Sequence, residues 1–156
     1  MAGSRAHSHI VLYFANVSSW NKRCEEHFFQ VRQGAYHGIG VVETKLMSGK
    51  LTSARRFIEK KCGYLSVARP AIPTEEGGAS GGAMMLTKKG LSASTIVGKN
   101  EMELEEAQWA GIALRSIGGG DIVYIALYLL PGLGTLGVNA GRLATLTSLM
   151  KGLKVP

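Results

Sequence analysis

Two polar residues stand where apolar runs end. Asn16 closes the run that begins at His9, and Glu43 closes the run Gly38 to Val42, opening the stretch Glu43-Thr44-Lys45-Leu46. If both runs are strands of one sheet, a carboxamide and a carboxylate project from the same sheet edge. Hard oxygen donors in that number suit Mg²⁺, which takes one or two protein oxygens and keeps several waters for substrate phosphates. The chemistry such a pair can start is metal-assisted attack on a phosphodiester. Two other sets of residues invite comparison. Gly132-Leu133-Gly134-Thr135-Leu136-Gly137 is a literal GxGxxG, but the acid expected about twenty residues later, after a second strand, is missing. His7, His9, His27 and His37 show no ligand spacing, and Gly77 to Gly82 lacks the Lys-Ser/Thr of a phosphate-binding loop. No dinucleotide cofactor is expected.

The elements that would carry these residues follow from periodicity. His9 to Phe14 is β-branched and aromatic, a buried strand. Ser18 or Ser19 can cap a helix in which Trp20, Cys24, Phe28 and Val31 recur at helical spacing until Gly34. Thr52 or Ser53 can cap a second helix with Ala54, Phe57, Ile58 and Cys62 on one face and Gly63 as its stop. Tyr64 to Ala68 and Ala83 to Leu86 read as strands, separated by an exposed loop from Pro70 to Gly82. Ser94 to Val97 is a short strand and Glu101 to Glu106 a solvated connector. Ala107 to Arg115 and Ile122 to Leu129 form two more strands. A last helix from Asn139 to Met150 turns Leu143, Leu146, Leu149 and Met150 inward. Strands and helices in this order mean a mixed α/β domain.

At 156 residues the chain suits one domain, and 46% hydrophobic residues exclude general disorder. Eighteen Lys and Arg against eleven Asp and Glu leave +7, a balance that favours polyanionic partners such as nucleic acid. The charge is scattered over helix faces and turns and forms no basic tail. Cys24 and Cys62 are expected as buried free thiols, too few for a disulfide framework. The first nine residues lack the apolar core of a signal peptide, which favours an intracellular compartment without fixing one. Ile122 to Ala140 carries no charge, but Pro131 and three glycines in its second half favour strand and loop over a membrane span.

Four stretches, in order, resemble the exonuclease–endonuclease–phosphatase superfamily. These are Ile10 to Ser18 (IVLYFANVS), Gly40 to Leu46 (GVVETKL), Gly81 to Gly90 (GGAMMLTKKG) and Ile125 to Gly132 (IALYLLPG). The likeness is greatest to abasic-site endonucleases and to the endonuclease domains of retroelements lacking long terminal repeats. It implies a two-sheet α/β sandwich with helices outside, of which residues 1–156 form a single domain lacking its carboxy-terminal part. It implies that Glu43 coordinates Mg²⁺, that Asn16 assists the metal as ligand or as support, and that Tyr128 contacts the scissile phosphate. DNA is the expected partner of a completed domain. Ser18 departs from the acid or amide that many members carry two residues after the Asn. The family's Gly-Asp-x-Asn and Ser-Asp-His segments, which orient and deprotonate the attacking water, have no counterpart here, since no acid follows Asp121 and no histidine follows His37. A general base contributes about 10²- to 10⁴-fold to rate, so this polypeptide alone is expected to be inactive. The alternative is a non-enzymatic remnant of a retroelement or gene that binds nucleic acid weakly.

Overall fold

In the computed structural model, residues 9–96, 108–115 and 120–152 are described. Strand β1 (Leu12–Asn16) pairs in parallel with β2 (Gly38–Val42), Asn16 standing opposite Val42. Antiparallel β6 (Ala83–Lys88) follows, and then β3 (Tyr64–Arg69) on its far side, so the first sheet runs β1-β2-β6-β3. A second, antiparallel sheet runs β7 (Ala93–Ile96), β8 (Trp109–Leu114), β9 (Ile122–Leu127). The loop expected from Pro70 to Gly82 contains a small hairpin of β4 (Ile72–Pro73) and β5 (Ala79–Ser80).

The period-2 geometry of β6 explains how the layers stack, because neighbouring side chains leave opposite faces of a strand. Met84 and Leu86 are buried with Trp20, Phe28, Leu51 and Ile58 beneath the helices, whereas Ala83 and Met85 are buried with Ala110, Ile112, Leu114, Tyr124 and Ala126 of the second sheet. A third cluster, Ile96 and Trp109 with Leu149 against it, covers the outer face of the second sheet. The result is helices, sheet, sheet, helix: the mixed α/β sandwich expected from the order of elements. Glycine makes the close approach of the sheets possible: a Cβ at Gly38 would lie 2.9 Å from the hydroxyl oxygen of Tyr124 in the second sheet.

The helices begin away from the expected caps. Helix α1 (Lys22–Glu26), continued by a π-type turn over His27–Val31, is capped by Asn21, whose Oδ1 accepts from Arg23 N at 2.9 Å and Cys24 N at 3.4 Å. Ser18 cannot serve, since its backbone is turned to φ 55°. Helix α2 (Ser48–Lys61) starts a turn before Thr52 and Ser53. Their hydroxyls donate back to Ser48 O and Gly49 O, which is what such side chains do within a helix. Its end is as expected: Lys60 and Lys61 lie in the last turn, and Gly63 follows at φ 76°.

Helix α3 (Val138–Gly152) departs most from expectation: Asn139 and Arg142 are its buried residues, while Met150 is exposed. The cysteines are half-buried, not buried, and both are free. Among the described residues no helix is long and apolar enough to cross a membrane. The expected connector from Glu101 to Glu106 lies outside the described residues.

Candidate functional site at one rim of the sandwich

Because β1 and β2 are parallel, their carboxy-terminal ends share an edge of the first sheet. Antiparallel β6 begins at that same edge, with Ala83 opposite Val42, and β3 ends there, with Arg69 opposite Ala83. In the second sheet β8 begins and β9 ends on one side, Trp109 opposite Leu127. The amide of Gly82 donates to Gln108 Oε1 at 2.6 Å, joining the two edges into a single rim. Asn16, Glu43, Gly81, Gly82, Gln108 and Tyr128 all stand on it. Of the residues expected to act, the structure thus brings Asn16 and Glu43 to adjacent strand ends and Tyr128 to the facing sheet.

The Glu43 turn is built from an alternation. Thr44 and Leu46 are buried, which turns Glu43 and Lys45 outward. Thr44 is held by its neighbours: its amide donates to Gly82 O at 3.3 Å and its carbonyl accepts from Trp20 N at 2.8 Å. Lys45 N donates to Gly81 O at 3.0 Å. Glu43 and Lys45 adopt φ 59° and 54°, a left-handed conformation unfavourable for residues with a Cβ. Such strain persists where the surroundings determine it and is common at functional positions. The Glu43 carboxylate lies 3.8 Å from Lys45 Nζ, with both side chains partly in solvent. Such a partly exposed pair is weak and screened by solvent. Asn16 is exposed, and its Oδ1 accepts from Ser18 N at 2.9 Å, a small turn that fixes the carboxamide. Asn16 also lines a cleft of about 400 Å³ between β1 and β9, with Phe14, Gly40, Val42, Ile125 and Leu127.

Tyr128 is buried, 7% exposed, with its hydroxyl 3.5 Å from Ser80 Oγ. Beneath it lies Arg142, whose Nη1 donates to Tyr128 O at 3.0 Å and whose guanidinium sits 5.8 Å from the ring centroid. Burial lowers the Arg142 pKa from its ordinary value, and the neighbouring Tyr128 partly opposes that shift. Asn139 ties down the loop between β9 and α3. Its Oδ1 accepts from Leu130 N at 2.8 Å, and its Nδ2 donates to Leu130 O at 2.9 Å and Gly134 O at 2.8 Å. The GxGxxG stretch is therefore a loop closed by a side chain of the following helix.

Three residues of this rim escaped the sequence reading: Gln108, Asn139 and Arg142. The last two carried a signal, for they lie three apart in an apolar helix, on one face, where a buried amide and guanidinium need partners. Gln108 carried none, since it simply precedes an apolar strand. Among the described residues no group of three or more His, Cys, Asp or Glu side chains could hold a metal.

No protein-family model matches the chain, and no curated protein matches it by sequence. Among solved structures it is similar to the AP endonuclease LMAP from Leishmania major, with a TM-score of 0.57 and 17% identity, over 92% of this chain and 46% of that one. The chain thus has an AP-endonuclease-like fold and spans about half the length of that protein.

Proposed function

We propose that this chain is the amino-terminal portion of a Mg²⁺-dependent phosphodiester-cleaving domain acting on DNA, of the abasic-site or retroelement endonuclease kind. The observation that carries the reading is the convergence of Asn16, Glu43 and Tyr128 on one rim of a sandwich with the fold of an AP endonuclease. The donors present fit the ion: Glu43 offers a partly exposed carboxylate beside Lys45, and Asn16 an exposed carboxamide on the adjacent strand end. When bound there, Mg²⁺ would neutralise phosphate oxygens and polarise water. Glu43 and Asn16 hold the cation side of the substrate. Tyr128 would contact the phosphate from the facing sheet, its hydroxyl 3.5 Å from Ser80 Oγ. The net charge of +7 supports a polyanionic substrate.

Titration of Mn²⁺ into the isotope-labelled chain tests the metal assignment. Broadening is expected first at the amides of Asn16, Val42 and Glu43, and should vanish in Glu43→Gln. Broadening centred on the hairpin acids Glu75 and Glu76 instead would reject the site. DNA binding should weaken steeply with salt, and supercoiled plasmid should remain un-nicked. Metal-dependent nicking by the chain alone would refute the expected inactivity.

A further inference from the structure

The two sheets meet through apolar side chains, and that attraction has no direction. It holds the sheets face to face but does not set how far one rim stands above the other. A directional contact is needed for that, and Gln108 supplies it. Its side chain is fully buried, 0% exposed, and makes two bonds to the first sheet's loops: Oε1 accepts from Gly82 N at 2.6 Å, and Nε2 donates to Pro70 O at 2.9 Å. Its main chain makes one bond within the second sheet's rim, the carbonyl accepting from Tyr128 N at 2.9 Å. The residue is bent to φ 48° to do so. Gly81 leaves room for the junction: a Cβ there would run into Gln108 Oε1 and come within 2.9 Å of the Tyr128 ring. The same segment continues to the other side of the site, since Gly82 O and Gly81 O accept from Thr44 N and Lys45 N, the residues next to Glu43.

We infer that Gln108 is a positioning residue that fixes Tyr128 relative to the Glu43 strand end. The chain of contacts runs from Tyr128 through Gln108 to Gly81-Gly82 and on to the Glu43-Thr44-Lys45 turn. The clasp itself stands on geometry alone, and only its service to a metal site rests on the phosphodiesterase reading.

Gln108→Leu keeps approximate volume and removes the bonds to Gly82 and Pro70, while Gln108→Glu offers a conditional replacement. A neutral Glu accepts from Gly82 N through its carbonyl oxygen and donates to Pro70 O through its hydroxyl. An ionised Glu cannot donate, and its burial favours the neutral form. The experiment is amide hydrogen exchange and NOE spectroscopy on the full chain. In Gln108→Leu, protection of the Gly82 amide should fall about five- to hundredfold, the range for a buried bond lost. The Gly81 Hα to Tyr128 ring NOE should disappear while Ile39 and Met85 stay protected. In Gln108→Glu, whose neutral form makes both bonds, both signals should be near wild type at pH 5, which also decides the matter if the Leu variant does not fold. With Mn²⁺ present, Gln108→Leu should change broadening at the Tyr128 ring and leave that at Asn16 unaltered. Unchanged Gly82 protection, a retained NOE, or an effect spread evenly over both sheets would overturn the inference. Absence of Mn²⁺ broadening in the wild-type chain would sink the metal reading alone, leaving the exchange arm to decide the clasp.

Discussion

Glu43 is held at φ 59°, where a side chain with a Cβ costs about 1–2 kcal/mol relative to right-handed backbone. Replacing it with glycine removes that cost but frees the unfolded chain by about 0.5–1 kcal/mol. The contact with Lys45 at 3.8 Å is also lost, a partly exposed pair worth a few tenths of a kcal/mol after solvent screening. The sum is a stabilisation of about 0.5 kcal/mol in Glu43→Gly, whereas an average substitution destabilises by about 1 kcal/mol. With a urea slope of about 2 kcal/mol/M for a chain of this size, the unfolding midpoint should rise by roughly 0.2–0.3 M. Glu43→Asn, tolerant of left-handed backbone and without glycine's entropy, should do at least as well. Glu43→Gln, which retains the conformation, should stay within about 0.5 kcal/mol of wild type. Urea titrations followed by tryptophan fluorescence, run beside Mn²⁺ binding, give the assay. The expected pattern is Glu43→Gly as stable as wild type or more so, yet unable to bind the ion. A loss above about 1 kcal/mol in Glu43→Gly would refute the reasoning, because the carboxylate would then be holding the turn instead of being held in it.

Gly81→Ala should destabilise by about 2–4 kcal/mol, combining a left-handed φ of 77° with collision against Gln108 and the Tyr128 ring, and a melting curve near wild type would contradict this. Arg142→Met keeps the aliphatic packing but leaves Tyr128 O without its donor, at about 1–3 kcal/mol by denaturant unfolding. Burial raises the phenol pKa values of Tyr64 and Tyr124 above the ordinary value. The folded state favours their neutral form, so the associated stability is complete below the ordinary phenol range and lost as pH rises through the raised values. Tyrosinate absorbance should accordingly lag behind that of the denatured chain and appear together with unfolding. Burial, with Glu25 adding to it, likewise raises the Cys62 thiol, and alkylation near pH 8 should be slower there than in the denatured chain.

Much of the fold was legible because its signals are local. Strand residues at Gly38–Val42, Tyr64–Arg69 and Ala83–Lys88 are apolar or β-branched runs bounded by glycine and charge, and Gly63 marks a helix end whatever surrounds it. The caps were misread for an equally local reason: Ser18, Thr52 and Ser53 have suitable side chains, but Ser18 sits at φ 55° and the hydroxyls of Thr52 and Ser53 bond carbonyls within the helix. In α3 the apolar pattern pointed to leucines, of which Leu149 does pack on the core, but the buried positions of the helix are Asn139 and Arg142, which find carbonyls to bind, and Met150 is exposed.

By itself, the sequence determined that Asn16 and Glu43 end neighbouring apolar runs, since a strand of period 2 must expose a polar residue at the edge where its burial stops. It determined the mixed α/β order and the basic character of the whole. The tertiary structure alone decided that Tyr128 shares their rim, that Gln108 bridges the sheets, and that Arg142 lies beneath the tyrosine. Those relations join residues 14 to 112 positions apart in the chain, with Tyr128–Arg142 and Asn16–Tyr128 as the extremes. No local propensity encodes such separations; they follow from which apolar faces stack, and from the few directional hydrogen bonds that fix the stacked sheets at one height.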